Sequence, residues 1–265
     1  MNITFLIGNG FDLNLGLKTS YHNFLDYYYL KDMDDDNENI KYFKKIIREE
    51  RDNGIDTWAD AEISLGRVTG KFDDVDKFLE CFEDFSIKLQ EYLLLEQNKI
   101  DFNIYEENVL HNFDTISRNL YTLFDENYQP TFEEFFKNKS KNFTFINLNY
   151  TNSIEEYLEL NNSNAKIIDV HNSLSEHIII GLSNESQIEN KEFLNDETFK
   201  QFILKSSCDE YFNKAKYSLA RSYIYDSDLI ILYGTSLGES DMHWWKYICN
   251  WLDRYDKKLI IYNFG

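Results

Sequence analysis

The sequence predicts an α/β domain with a mainly parallel sheet and a large helical insertion after the first strand and turn. Short apolar runs occur near both ends, helical patterns alternate with them in the second half, and residues of about 25–140 contain almost no strand-like run. Strands that helices cover on both faces are continuously apolar, as several of these are. We therefore expect one α/β domain over 1–265, with the insertion at about 25–140 and the rest of the sheet within 141–265.

The first strand candidate, ITFLIG (3–8), leads directly into a glycine turn. In the insertion that follows, apolar residues between Val75 and Leu89 recur at helical spacing. We expect this insertion to lie beside the ligand crevice, as a lid or a partner surface. The remaining strand candidates are FTFINLNY (143–150), AKIIDVHN (165–172), HIIIGL (177–182), DLIILYGTSL (228–237) and KKLIIYNF (257–264). Their alternation with helical patterns predicts a parallel sheet.

The composition argues against several classes of protein. With 27 basic and 47 acidic residues the net charge is −20, so we expect no open basic surface for nucleic acid. Cys81, Cys208 and Cys249 lack paired spacing, which predicts neither a disulfide framework nor a thiolate zinc site. No apolar run reaches the ~18 residues of a membrane span. The N-terminus shows no basic region or cleavage site, so we expect no signal peptide and a cytoplasmic protein.

Polar residues follow four of the predicted strands. Because parallel strands end at a shared edge, where ligands bind, these corners are expected to converge on one crevice. The corners are Gly8-Asn9-Gly10-Phe11-Asp12; Asn147, Asn149, Tyr150 and Thr151; Asp169, Val170 and His171; and Gly234, Thr235, Ser236 and Leu237.

Each corner also has a structural interpretation. Most Gly-x-Gly turns are only turns, and the complete dinucleotide pattern is absent because position 13 is Leu. Asn149 is open to interpretation as a core amide and His171 as a structural histidine. Asp12 and Asp241 both stand where a helix N-cap is expected, and we favour capping for Asp241.

Four motifs resemble the bacterial AbiH family of phage abortive-infection proteins: GNGFDLNLGLKTSY, FINLNYTNSIE, DVHNSL and YGTSLGESDMHWW. WADAEISL (58–65) extends the resemblance loosely into the helical region. The resemblance implies a role in antiviral defence, with a homo-oligomer or a defence-system component as the candidate protein partner. Because the sequence stops at Gly265 directly after an apolar strand, we expect a short or truncated family member.

A remoter resemblance is to the sirtuin-type NAD-binding fold, which implies a Rossmann-like sheet and a nucleotide site for NAD. By this resemblance Asn149, with Tyr150, contacts the nicotinamide ribose and His171 acts as general base. Asp12 would orient water or support the developing cation. The resemblance places the dinucleotide phosphates at Gly8, Asn9, Gly10 and Phe11, and the adenosine side at Gly234, Thr235 and Ser236.

The chain departs from the sirtuin pattern in several places. Asp12 replaces a serine, Thr151 replaces an acidic residue, and Asn172 replaces the glycine after the histidine. If the Asn172 side chain blocks the ligand, Asn172→Gly is expected to tighten NAD binding. The zinc-binding cysteine pairs of the deacetylating members are absent, which argues against protein deacetylation.

Three functions remain open. The first is hydrolysis of NAD at the nicotinamide–ribose bond, and the second is nucleotide sensing without turnover. The third is a metal-dependent nuclease or phosphoesterase, whose oxygen and nitrogen ligands would come from Asp12, Asn149, His171, Asp241 and His243. No paired-ligand motif supports the third, and we expect no metal.

Overall fold

The computed structural model describes residues 1–30, 37–52, 58–102, 126–127, 129–136, 139–161, 163–205, 207, 213–254 and 256–262. Cys208 and the last two residues of the predicted strand 257–264 lie outside this part of the chain. Among the described helices, none combines the length and the apolar character that crossing a bilayer requires.

The sheet has five parallel strands, which confirms the predicted fold class. The strands are β1 (Asn2–Ile7), β2 (Asn142–Asn147), β3 (Lys166–Asp169), β4 (Leu229–Tyr233) and β5 (Lys258–Tyr262). Their spatial order is β3-β2-β1-β4-β5, with all neighbours parallel. The chain leaves β1 towards β2 and leaves β4 towards β5, in opposite directions. The ends of β1 and β4 therefore form the topological switch point, where ligands bind in open α/β sheets.

Helices cover both faces of the sheet. In chain order the helices are α1 (Gly10–Asn14), α2 (Tyr21–Leu30), α3 (Glu38–Asp52), α4 (Trp58–Val68), α5 (Val75–Gln97), α6 (Gln129–Phe136), α7 (Ser153–Leu160), α8 (Glu197–Ile203), α9 (Lys214–Asp226) and α10 (Met242–Leu252). Phe5 and its neighbours on one face pack with α1, α6 and α7. Leu6 and its neighbours on the other face pack with α9 and α10. This two-sided burial explains the continuous apolar runs.

Helices α2–α5 form a second core together with residues of the segment 174–204. Between 25 and 140, residues 31–36, 53–57, 103–125, 128 and 137–138 lie outside the described part of the chain. Asp74 caps the N-terminus of α5, where its carboxylate accepts the N–H groups of Asp76 and Lys77. The buried face of α5 packs against aromatic residues of α2 and α3.

The predicted strand HIIIGL (177–182) is wrong. Ile178, Ile180 and Leu182 are buried in the core of the insertion, and Leu182 makes an isolated parallel bridge with Leu204. Burial therefore explains the apolar run without a place in the main sheet. The segment 171–205 thus joins the strand ends to helices α2–α5.

Candidate functional site

The ends of β1 and β4 are joined by backbone contacts at three glycines. Gly10 donates its N–H to the Gly234 carbonyl at 2.8 Å, and Gly8 donates to the Tyr233 carbonyl at 3.0 Å. A Cβ on Gly10 would stand 2.6 Å from Gly234 Cα, and one on Gly8 would stand 2.7 Å from the Gly234 oxygen. Gly234 also has φ +66°, a conformation that favours glycine. The glycines are therefore required for contact between the two loops, whatever ligand they meet.

Asn149 attaches the end of β2 to this glycine seam. Its side-chain amide donates to the Gly8 carbonyl at 3.1 Å, and its N–H donates to Asn147 Oδ1 at 3.1 Å. Asn149 is buried. These bonds are those of a structural amide, and they also hold Asn149 directly beside the switch point.

His171 lies next to the same strand ends. Its Nδ1 is 3.0 Å from the Leu148 carbonyl oxygen, which accepts only, so Nδ1 carries a proton. Its Nε2 is buried without a hydrogen bond and lies 3.5 Å from Asp241 Oδ1. The Tyr150 ring is 6.0 Å from the imidazole, and its hydroxyl donates to the Ile179 carbonyl. Contacts thus link the four predicted corners along one edge of the sheet.

Asp241 is not the side-chain cap that the sequence suggested. It occupies the position before α10, but its carboxylate makes no capping hydrogen bond there. It instead accepts from Lys205 Nζ at 3.0 Å. Burial raises the pKa of Asp241, but the charge of Lys205 and the contact with His171 outweigh burial and hold it below its ordinary value. Asp241 is therefore a partly buried anion beside His171.

Asp12 is tied into the protein interior. It is 1% exposed, and its two carboxylate oxygens accept from the hydroxyls of Thr151, at 2.7 Å, and Ser153. Burial raises its pKa to about 6, although both hydrogen bonds act in the opposite direction. These contacts favour a role in joining α1 to the start of α7 over the suggested contact with water or a ribose cation.

A carboxyl pair that sequence reasoning missed lies beside Asp12. Burial, followed by the charge of the neighbouring Asp169, raises the pKa of Glu155 to about 9. Neither oxygen of Glu155 has a hydrogen-bond partner among the described residues, whereas Asp169 accepts from Asn147 Nδ2 at 3.0 Å. Glu155 stands in the first turn of α7, where solvent exposure is the usual expectation. No group of three or more His, Cys, Asp and Glu suited to a metal occurs among the described residues.

The remaining predicted binding residues differ in solvent exposure and in hydrogen bonding. Phe11 is 2% exposed and packs against Tyr157 and Tyr233, so the structure places it in the core. Asn9 exchanges hydrogen bonds with Thr19. Thr235 is half-buried and its hydroxyl oxygen makes no hydrogen bond, while Ser236 is exposed.

Asn172 occupies a backbone position that explains why glycine is expected there. Its φ is +62°, in the left-handed region that asparagine tolerates better than most residues. Its amide donates to the His177 carbonyl at 2.8 Å, and its oxygen accepts from Lys216 at 3.2 Å. The side chain is therefore held by its own loop and by α9.

Two clefts lined by described residues lie away from the strand ends. One, of about 750 Å³, lies between α2 and α3 and includes Tyr29, Arg48 and Arg51. The other, of about 380 Å³, lies between α9 and α10 at the opposite edge of the sheet. Neither contains a residue of the four corners.

The sequence was compared with curated proteins and with models of protein families. A comparison with curated proteins found no match. The family model described as bacteriophage abortive infection AbiH matches residues 4–262, and so spans the sheet, the helical insertion and all four corners. The chain therefore belongs to the bacteriophage abortive infection AbiH family.

Proposed function

We propose that this phage-defence protein binds a nucleotide at the ends of β1, β2 and β4, with NAD as the candidate, and hydrolyses its nicotinamide–ribose bond. Family membership supports abortive infection as the biological role. The position of the corners at the switch point of the sheet supports a nucleotide as the ligand class.

Two buried polar atoms carry this proposal. Thr235 Oγ1 and His171 Nε2 make no hydrogen bond with any residue that the structure describes, although buried polar atoms are rarely left so. Both belong to corners at the carboxyl edge of the sheet. A ligand that supplies a donor or acceptor to each would satisfy both atoms.

The corners of the site differ in how many hydrogen-bonding groups they can offer to NAD. At the glycine turn, the N–H groups of Gly8 and Gly10 are already bonded to the β4 corner. We therefore assign recognition to Thr235, Asn149 and His171 rather than to the glycine amides. NAD fits this set because its ribose hydroxyls and carboxamide supply both donors and acceptors.

The proposed chemistry uses His171 as the proton acceptor. Bound NAD would supply a nicotinamide that departs with the electron pair of its bond to ribose. The proton on Nδ1 leaves Nε2 with its lone pair, which can accept a proton from the attacking water. Asp241, 3.5 Å away, stabilises the imidazolium that results. Asn149 holds the ribose while water oxygen bonds to the anomeric carbon.

The test measures NAD affinity and nicotinamide release in the wild type, Asn149→Ala and His171→Ala. Loss of either group is expected to lower turnover by roughly 10²–10⁴-fold. Asn250→Ala, an exposed position on α10, is the matched control and should retain wild-type turnover.

The outcomes separate the open functions. Full turnover in Asn149→Ala would exclude the proposed ribose contact. If the wild-type protein binds NAD but releases no nicotinamide, hydrolysis is excluded and the nucleotide sensor is favoured. Absence of both binding and release would remove NAD as the ligand.

A further inference from the structure

Lys205 is a buried cation that links the helical insertion to the candidate site. It follows α8, is 2% exposed, and donates from Nζ to Glu62 Oε2 and to Asp241 Oδ1, each at 3.0 Å. Glu62 belongs to α4 and is also buried. The charges therefore form a continuous line from α4 through Lys205 to Asp241 and His171.

Backbone contacts fix the position of Lys205. Its N–H donates to the Leu182 carbonyl at 2.8 Å, and Leu182 donates to the Ile203 carbonyl at 2.7 Å. Since the backbone is held, the direction of the ammonium depends on its two carboxylate partners. A shift of the Glu62 carboxylate therefore changes the hydrogen bond between Lys205 Nζ and Asp241 Oδ1.

Electrostatics keep the line charged. Burial lowers the pKa of Lys205, but the charges of Asp241 and Glu62 outweigh burial and hold it above its ordinary value. Tyr150, His243 and Lys246 are further titratable groups near this line. Burial lowers the pKa of His243 to about 3, so its ring is neutral at neutral pH. The charged groups beside His171 are therefore Glu62, Lys205 and Asp241, with Lys205 in contact with both carboxylates.

Stability alone does not account for this arrangement. A buried ion triad is often no more stable than apolar residues of the same volume, because desolvation offsets the attraction. Here its last carboxylate lies against an imidazole nitrogen that makes no hydrogen bond. Orientation of that ring is a role that apolar residues could not perform.

We propose that Glu62 and Lys205 are positioning residues, which hold the Asp241 carboxylate at His171 and so couple helix α4 to the candidate site. Neither residue touches His171 directly. Glu62 provides the coupling from the insertion, and Lys205 transmits it. This inference deepens the proposed function, and its kinetic arm rests on that function.

The experiment follows the imidazole nitrogens of His171 by long-range proton–nitrogen NMR, without ligand. Spectra of the wild type, Glu62→Gln and Asp241→Asn are compared, with His171→Gln used for assignment. Glu62→Gln leaves Lys205 and Asp241 as a balanced pair, so we expect it to fold. Glu197→Gln on α8, an exposed carboxylate paired with Lys200, is the matched control.

We expect Glu62→Gln and Asp241→Asn to shift the Nε2 resonance of His171, and Glu197→Gln to leave it in place. If the wild type hydrolyses NAD, Glu62→Gln should lower kcat with a smaller change in KM. The loss should not exceed the ~10–100-fold typical of a group in direct contact with a functional side chain, because Glu62 acts through Lys205 and Asp241. Glu62→Asp, which retains the charge, should lose less.

The outcomes distinguish this inference from the proposed function. A shifted His171 resonance in Glu62→Gln, in a wild type that releases no nicotinamide, supports positioning and removes hydrolysis. An unchanged His171 spectrum in a cooperatively folded Glu62→Gln protein overturns the inference, whatever the activity. If Glu62→Gln does not fold, the same comparison is made with Glu62→Asp, and an unchanged spectrum again overturns it.

Discussion

Asp12 is buried and Asp241 is partly buried at the same edge of the sheet, and their electrostatic environments are opposite. Asp12 meets the hydroxyls of Thr151 and Ser153, and burial raises its pKa to about 6. Asp241 meets the Lys205 ammonium, and its pKa is held below the ordinary value despite burial.

The comparison shows that a cationic partner keeps a carboxylate charged where hydroxyl partners do not. Neutral hydroxyl donors do not offset the cost of removing a carboxylate from water, whereas a buried cation does. The β4 side of the site therefore holds an anion ready for His171, while the β1 side holds a carboxyl group that is partly protonated near pH 6. The glycine seam joins these two sides.

The largest expected effect comes from removing the cation on the Asp241 side. Lys205→Met leaves two adjacent carboxylates, the buried Glu62 and the partly buried Asp241, without the Lys205 ammonium. Loss of one partner from a buried ion pair costs about 3–5 kcal/mol, so the free energy of unfolding should fall by at least this range. Urea denaturation at pH 7 measures the loss.

Lys200→Met, on the preceding helix α8, is the control for Lys205→Met. Lys200 pairs with the exposed carboxylate of Glu197, and an ion pair in contact with solvent contributes little to stability. Equal losses in the two variants would contradict the assignment of a buried charge network.

The sequence predicted the sheet and the meeting of its corners, because strand ends and glycine turns are local features. It did not predict the line from Glu62 to His171, since Glu62 and Lys205 are 143 positions apart and their contact depends on tertiary structure. Asp241 was misread because its position before a helix is that of a cap, and a nearby buried lysine is invisible in the local pattern. HIIIGL was misread because an apolar run reports burial and not strand pairing.

Replacing Asp12 is expected to raise stability at neutral pH relative to acid, whereas replacing Lys205 lowers it. The folded-state pKa of about 6 lies above the ordinary 3.8, so Asp12 favours folding below about pH 3.8 and loses that contribution as pH rises through 6. Asp12→Asn removes this dependence. Its stability relative to the wild type should therefore increase between pH 4 and pH 7, by roughly 1–3 kcal/mol.

Urea denaturation of both proteins from pH 4 to pH 7 measures this difference, with the exposed Asp253→Asn as control. Asp241→Asn should show no such rise between pH 4 and pH 7, because a lowered pKa contributes stability that is fully present above the ordinary 3.8 and is lost only in stronger acid. Parallel pH profiles for Asp12→Asn and Asp241→Asn would refute the contrast between the two aspartates.

The smallest expected effect concerns Asn172, which follows His171 between the two sides. Asn172→Gly relieves the positive φ but removes the bonds to the His177 carbonyl and Lys216, and it makes the unfolded chain more flexible. We expect a net loss of about 0.5–1.5 kcal/mol, the usual value of a hydrogen bond. Asn172→Ala loses the same bonds and keeps the backbone strain, so it should be less stable than the glycine variant. Because the side chain is bound by its own loop, we expect NAD affinity to be unchanged in Asn172→Gly, as measured by calorimetry beside thermal melts. Tighter binding in that variant would show that the side chain does obstruct the ligand, and would place the nucleotide closer to the loop after His171 than its hydrogen bonds indicate.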